Sequence, residues 1–340
     1  MRPPTDDGRS PRHAASVRLG PAGIEVSRLG LGTSSLGGMF APVAHEQATD
    51  VVASALERGL RYLDTAPLYG LGLSERRVGG ALAAVERSSF TLSTKVGRLL
   101  RDEGTSGAEP EEPGMWPESQ GVVSVLDYSA DGVRRSLEES LARLGVDHVD
   151  IAYVHDPDDH LDEAIGAAVP ALERLRDEGL IRAFGFGMNH PEPLARVVRE
   201  TSVDCVLVAG RYTLLDQTAH AELLPLCLER GVGVVVGGVL NSGILARPGP
   251  GATYDYAPAP APLVQRAERL AEVCARYDVP LATAALQFPL GHPAIGCILG
   301  GVRSVDELDQ ALTAFDRDLP ADLWLEIVGE GLLPAGLPTP

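Results

Sequence analysis

Short apolar runs alternate along the chain with longer stretches in which apolar residues recur every three to four positions. The first pattern is that of strands buried on both faces, the second that of helices with one apolar face. Strands are expected at 29–32, 61–64, 90–95, 149–155, 182–187, 205–208, 233–236 and 295–299. Helices are expected at 45–58, 74–84, 130–144, 162–178, 191–199, 217–230, 262–277 and 304–314. One junction recurs between them: an amphipathic stretch ends in charge, then Gly, then an apolar residue. It occurs at Glu57-Arg58-Gly59-Leu60, Arg143-Leu144-Gly145-Val146, Asp177-Glu178-Gly179-Leu180 and Glu229-Arg230-Gly231-Val232. Each Gly suits the left-handed position that ends a helix, and each run after it suits a parallel strand.

Strand and helix alternating through the whole chain give the count of an α/β fold of the (β/α)8 TIM barrel type. A doubly wound dinucleotide fold is the rival, and it requires GxGxxG between a strand and a helix. Gly30-Leu-Gly32 meets Ser35, and Gly70-Leu-Gly72 meets Glu75, where the third Gly belongs, so neither fits. The run at 17–26 reads as an N-terminal hairpin closing the barrel floor. A single barrel domain is therefore expected over 17–333, after a disordered leader at 1–16 and before a tail at 334–340. The connections 96–128 and 239–262 are long. Both follow strand C-termini, the face on which barrels carry active sites, as lids or disordered segments would.

Composition narrows the partners. The chain has 340 residues, is 44% hydrophobic, and carries 29 Lys plus Arg against 47 Asp plus Glu, a net charge of −18. That field repels nucleic acid and anionic membrane, so the expected partner is a small molecule. The polar, Pro-rich first residues lack the apolar segment of a signal peptide, and the run 231–246 is too short and Gly-broken to span a bilayer. The 4 Cys form no CxxC pair and the 8 His lack metal-ligand spacing. Free thiols in a cytoplasmic protein without a metal site are the expectation, with the oligomeric state left open.

Candidate chemistry gathers at the strand ends. Asp64 closes the second strand, Tyr69 lies in the loop after it, Lys95 ends the third strand and His155 the fourth. Singly, each has an ordinary structural explanation: a turn cap, a packed ring, a snorkelling amine, a satisfied core imidazole. Together at one mouth they suit hydride transfer at carbon, which requires a proton to move at the neighbouring oxygen. Tyrosine, with a solution pKa of about 10, is a poor base near neutrality. A nearby ammonium favours the phenolate, a carboxylate holds the ammonium, and His155 can orient the substrate oxygen. Asp156-Pro157-Asp158 reads as a turn.

These four residues, in order and with their flanking sequence, resemble the aldo-keto reductases over about 17–333, with Asp64, Tyr69, Lys95 and His155 at the family's catalytic positions. The segments DTAPLYGLGLSERRVG, STKVGRLL, FGFGMN, VAGRYTLLDQ, GGVLNSGILA, GATYDY and AALQFPL are similar to the branch of D-threo-aldose, L-fucose and pyridoxal dehydrogenases. The resemblance implies NADP or NAD bound across the barrel mouth and oxidation of a cyclic hemiacetal to a lactone. Asn189, Gly237, Gly238, Leu240, Arg303, Ser304 and Glu307 are the candidate cofactor contacts. Ser304 with Glu307 also makes a helix capping box, whose N-terminus suits a phosphate or ribose near Arg303. Trp116, Arg211, Tyr212 and Tyr254 are candidate substrate contacts, and Tyr254 or Tyr256 could supply the wall beside the nicotinamide that Gly237 and Gly238 leave open. The chain departs from the wider family at Ala209, Gly237 and Ala311, where a carboxamide-binding Gln, a stacking Tyr and an adenine-contacting Asn usually stand, which leaves NAD versus NADP open. Two alternatives stay open as well: a reductase of a pyridoxal-like or biosynthetic carbonyl, and a nicotinamide-binding regulatory subunit.

Overall fold

Eight parallel strands pair in chain order and close on themselves. They are β1 (Leu29–Gly32), β2 (Tyr62–Asp64), β3 (Thr91–Val96), β4 (Val149–His155), β5 (Ile181–Met188), β6 (Cys205–Ala209), β7 (Gly233–Gly237) and β8 (Ile295–Gly301). The molecule is known from a computed structural model that describes residues 11–109, 114–119 and 121–340. The expected (β/α)8 barrel is thus present, with strand boundaries within two residues of those read from the sequence.

Two apolar layers follow from the period of two along each strand. Outward residues such as Leu63, Leu92, Val154 and Phe186 pack under the helices. Inward residues such as Tyr62, Ile151, Tyr153, Cys205, Leu207 and Val235 fill the barrel with Leu19, Ile24 and Val26. Those last three come from the hairpin Ser16–Leu19 with Ile24–Ser27, which plugs the floor as expected. Its turn is pressed against the start of β6: a Cβ on Gly20, at φ +57, would fall 1.8 Å from the Asp204 carbonyl oxygen.

The helices around the barrel are α1 (His45–Glu57), α2 (Leu73–Leu82), α3 (Ala130–Leu144), α4 (Val169–Asp177), α5 (Pro191–Glu200), α6 (Leu223–Arg230), α7 (Ala261–Arg276), α8 (Leu281–Gln287), α9 (Val305–Asp316) and α10 (Ala321–Gly329). Two of these, α8 and α10, were not expected. Six of the seven α8 residues are buried, and α10 exposes Leu325 at 69%, so neither shows one apolar face. The helix expected at 162–178 is interrupted by a π-helical turn at Ala164–Ala168. Pro170 lacks an N–H and its ring crowds the carbonyl four residues back, which widens that turn.

Other boundaries also move. The leader expected at 1–16 lies outside the described residues only over 1–10. At Arg12–Ala14 the chain makes a turn that buries His13, whose Nδ1 lies 2.6 Å from Asp316 Oδ2 and whose Nε2 lies 2.9 Å from the Arg58 carbonyl. The connection 96–128 contains an antiparallel hairpin, Arg98–Asp102 with Val122–Leu126. The connection 239–262 contains a short one, Thr253–Tyr254 with Ala257–Pro258. All four cysteines are buried and unpaired. Among the described residues no helix is long and apolar enough to cross a membrane.

Glu75 ties α2 to the barrel wall. It is fully buried, accepts from Thr94 Oγ1 at 2.6 Å and pairs with Arg143 Nε of α3 at 2.5 Å. Removing one partner of such a pair strands a charge away from water. We therefore expect Arg143→Met to lower unfolding free energy in a denaturant titration by about 3 kcal/mol. Adding Glu75→Gln should recover part of that loss, since the charge is then gone.

Candidate active site

Strand register brings the four expected residues to one mouth. Asp64 pairs with Gly32 on one side and Ser93 on the other, Lys95 pairs with Tyr153, and His155 with Gly187. Asp64, Lys95 and His155 are the last inward positions of adjacent strands, so their side chains converge above the barrel core. Lys95, 1% exposed, donates to Asp64 Oδ2 at 2.7 Å and to the Thr65 carbonyl at 2.9 Å. Its Nζ lies 4.6 Å from the centre of the Tyr69 ring, and His155 meets that ring edge-on at 6.0 Å.

Tyr69 is held by backbone contact. The next residue, Gly70, has φ +62, and a Cβ there would fall 2.2 Å from the Gly37 carbonyl oxygen. Ser119 Oγ donates to the Gly70 carbonyl at 2.5 Å, and Ser74 N–H donates to that of Tyr69 at 3.1 Å.

Beneath Asp64 runs a buried polar chain that the sequence reading missed. Ser93 Oγ donates to Asp64 Oδ1 at 2.7 Å and lies 3.0 Å from the Tyr62 hydroxyl, which is 3.2 Å from that of Tyr153. Cys205 Sγ donates to Tyr153 Oη at 3.5 Å. A carboxylate only accepts, so Ser93 spends its single proton on Asp64, and Tyr62 must donate to Ser93 and Tyr153 to Tyr62. The signal was present as parity: Tyr62, Ser93 and Tyr153 each stand two positions before an expected site residue.

Burial shapes the acidities. It disfavours the Lys95 ammonium, but Asp64 and then Tyr69 outweigh it and raise the pKa. Burial pushes the Tyr69 phenol up to about 12, against the opposing pull of Lys95. This corrects the expectation of a net lowering: the half-buried phenol keeps its proton at neutral pH, and Lys95 limits the rise. Burial, then the Arg98 and Lys95 cations, hold His155 well below the usual imidazole range, so it is neutral. Burial raises Asp156 to about 6, with Arg98 opposing.

These groups line a cavity of about 290 Å³ with Trp116 and Asn189. The Trp116 and Tyr69 rings are 6.3 Å apart. Of the tyrosines in the late loop it is Tyr256 that lines the cavity, while Tyr254 turns away to donate to Asp216 at 3.1 Å. Tyr212 is fully buried in a stack with Phe288 and His220, and Arg211 is committed to both oxygens of Asp255 at 3.0 and 2.9 Å. Those three expected substrate contacts therefore lie off the cavity wall. Arg98, Asp156, Met39 and Met115 line it and were not foreseen. Arg98 follows Lys95 by three residues and Asp156 follows His155 directly, so strand ends were the available signal.

A flat ring has room beside this cavity. Gly237 pairs with Ala209 at the ends of β7 and β6, and a Cβ on it would meet nothing closer than 3.8 Å. The next residue, Gly238, has φ +63, and Leu240 is half-buried in the following turn. At the far end Ser304 caps α9 by accepting from Glu307 N–H at 3.2 Å, but Glu307 accepts from Arg303 N–H at 2.7 Å, one residue before the cap, so the expected capping box is closed on one side only. The Arg303 guanidinium donates to the Met39 and Ala41 carbonyls. Ala311 packs against the outer core. A side-chain-free floor near Asn189, leading toward a capped helix N-terminus, fits a dinucleotide with its ring at the cavity.

Proton exchange at a single oxygen, beside a floor shaped for a flat ring, is what a barrel-fold hydride-transfer enzyme requires. The comparisons agree. The Aldo/keto reductase family model matches residues 28–329. Pyridoxal 4-dehydrogenase of Microbacterium luteolum is 41% identical, covering 93% of this chain and 97% of that one. D-threo-aldose 1-dehydrogenase of a Pseudomonas species is 40% identical, covering 92% and 96%. Among solved structures, an aldo-keto reductase of Bacillus halodurans in its holo form superposes with a TM-score of 0.74 at 29% identity, covering 95% and 97%. The chain belongs to the aldo/keto reductase family. It is an oxidoreductase that uses NAD or NADP.

The open space over Gly237 supplies a binding test. Gly237→Val should change the melting temperature little, because its Cβ meets nothing closer than 3.8 Å, yet weaken NAD(P)H binding more than about tenfold in a fluorescence titration. Unchanged binding would place the ring elsewhere.

Proposed function

We propose that this enzyme oxidises a cyclic hemiacetal at C1, taking an aldose of the L-fucose or D-threo-aldose type to its lactone. The observation that carries the reading is the buried Asp64–Lys95 pair beneath Tyr69, in a cavity whose cations are each faced by a carboxylate. Lys95 faces Asp64 and Arg98 faces Asp156, which leaves no spare cation for an anionic substrate among the described residues. A neutral sugar suits that balance, and one of the relatives is named for aldose oxidation.

A bound oxidised nicotinamide would supply the hydride acceptor for C1 and a positive charge at the site. Tyr69 takes the proton of the anomeric hydroxyl. It must first be the phenolate, which Lys95 stabilises, and it becomes the phenol as it accepts that proton, while Asp64 keeps Lys95 charged and in place. Neutral His155 donates an N–H to the reacting oxygen and orients it. Ser93 fixes the Asp64 carboxylate from below.

A second reading uses the same residues in reverse. With its pKa near 12, Tyr69 is a ready proton donor at neutral pH, which favours reduction of a pyridoxal-like carbonyl. A plate assay at 340 nm with NAD+ and NADP+ against L-fucose, D-arabinose, L-galactose, D-glucose and pyridoxal separates the readings. Cofactor reduction with the L-fucose-like sugars is the expected result; turnover of pyridoxal alone, or of carbonyls only in the reductive direction, would overturn the aldose assignment.

The ionisation of Tyr69 sets the pH response. Oxidation needs the phenolate, so its rate should climb as pH rises toward the phenol pKa, whereas reduction should stay level and fall only at high pH. Tyr69→Phe should cut kcat by about 10²- to 10⁴-fold with little change in melting temperature. In Lys95→Met the residual oxidation rate should rise only at still higher pH, because the pull that limits the Tyr69 pKa is gone.

A further inference from the structure

Proton transfer at C1 leaves part of the cavity unexplained. Among the described residues, nine buried polar side-chain atoms lack a partner, and three belong to cavity residues: Trp116 Nε1, Arg98 Nε and His155 Nδ1. Unpartnered buried polar atoms are rare in folded proteins unless a ligand or water completes them. Trp116 is 8% exposed, so its indole N–H has little access to bulk solvent.

Asp156 supplies the matching acceptor. It stands one residue past His155 with φ 44, a left-handed conformation that Asp and Asn tolerate better than other side chains. The Tyr128 hydroxyl donates to the carbonyls of His155 and Asp156 at 2.6 and 3.0 Å, which fixes this bend. The half-buried carboxylate lies 3.5 Å from His155 Nε2 and 4.0 Å from Arg98 Nη2, too far to be satisfied by either. Asp156, Arg98 and Trp116 line one cavity beside the reacting position; Arg98 and Asp156 balance each other's charge at 4.0 Å but leave their hydrogen-bonding capacity unmet.

We propose that Asp156, with Arg98 and Trp116, forms a hydroxyl-reading pole that selects a polyhydroxylated substrate over an apolar carbonyl of the same length. The carboxylate accepts from a substrate hydroxyl while Arg98 and Trp116 donate to neighbouring oxygens. A substrate lacking those hydroxyls leaves the buried groups unpaired, and the penalty falls on that substrate. The inference rests on the reading of Tyr69 and His155 as the reacting centre, but not on which compound is oxidised.

The test uses carbonyl reduction, so that it stands apart from the aldose assignment. Glyceraldehyde and propanal share a chain length and differ in hydroxyls, and their ratio of kcat/KM measures the pole directly. The wild-type enzyme should favour glyceraldehyde. Asp156→Asn keeps the shape and the tolerated backbone conformation, and Trp116→Phe keeps the aromatic wall while removing its N–H. Each should lower the ratio about 10- to 100-fold, mainly through KM for glyceraldehyde. A wild-type ratio near one, or equal losses on both substrates in both variants, would overturn the proposal. Failure of the sugar panel with an intact glyceraldehyde preference would instead count against the aldose reading alone.

Discussion

The ion pair between Lys95 and Asp64 is the interaction on which the rest of the site depends. Taking an ammonium and a carboxylate out of water costs on the order of several kcal/mol per ion, and attraction repays that only when the remaining hydrogen-bonding capacity is met. Here the Thr65 carbonyl takes a second Lys95 proton and Ser93 donates to the second Asp64 oxygen. Ser93 is free to do so because Tyr62 faces it, and Tyr62 is faced in turn by Tyr153 and Cys205. The charge at the mouth is therefore underwritten by a polar column that crosses the interior of an otherwise apolar barrel.

That column explains why strand register matters to the chemistry. A slip of one residue in β3 would turn Ser93 and Lys95 outward together and replace them with Thr94, which faces Glu75 under α2. Two polar systems thus lie on opposite faces of one strand, the inner serving the site and the outer holding α2. Because Tyr69 lies in the loop between β2 and α2, both systems bear on its position.

Much of this was legible in the sequence. Runs buried on both faces marked every barrel strand, and the glycines closing helices, Gly59, Gly145, Gly179 and Gly231, marked the starts of four of them. The four residues at the mouth were legible because strand ends are sequence-local: Asp64, Lys95 and His155 each terminate an apolar run. What escaped depended on contacts across the chain. Helices α8 and α10 lack a single apolar face, Pro170 gives no sign of the π turn it shapes, and Tyr212 reads as a loop residue although it fills the core between Phe288 and His220. The acidity of Tyr69 was misjudged for a related reason. Sequence shows which charge is near, but only packing shows how much water has been removed, and for Tyr69 the removal of water is the larger effect.

The loop segment carrying Trp116 joins the substrate wall to the catalytic loop. Ser119 grips the Gly70 carbonyl beside Tyr69. Glu118 pairs with Arg77 of α2 at 3.2 Å and accepts from Val43 N–H at 3.2 Å, and Phe40 N–H donates to the Met115 carbonyl at 2.8 Å. Arg77 also donates to the Leu36 and Val43 carbonyls, and Arg303 holds Met39 and Ala41 from the opposite side. The segment around 36–43 is thus bonded both to the segment carrying Trp116 and to Arg303 beside the N-terminus of α9. Displacing Arg303 from those carbonyls would loosen the same segment that braces Trp116 and Tyr69. Arg77 and Arg303 thus fix one short loop from two sides, and through it the placement of Trp116 and that of the α9 N-terminus depend on each other.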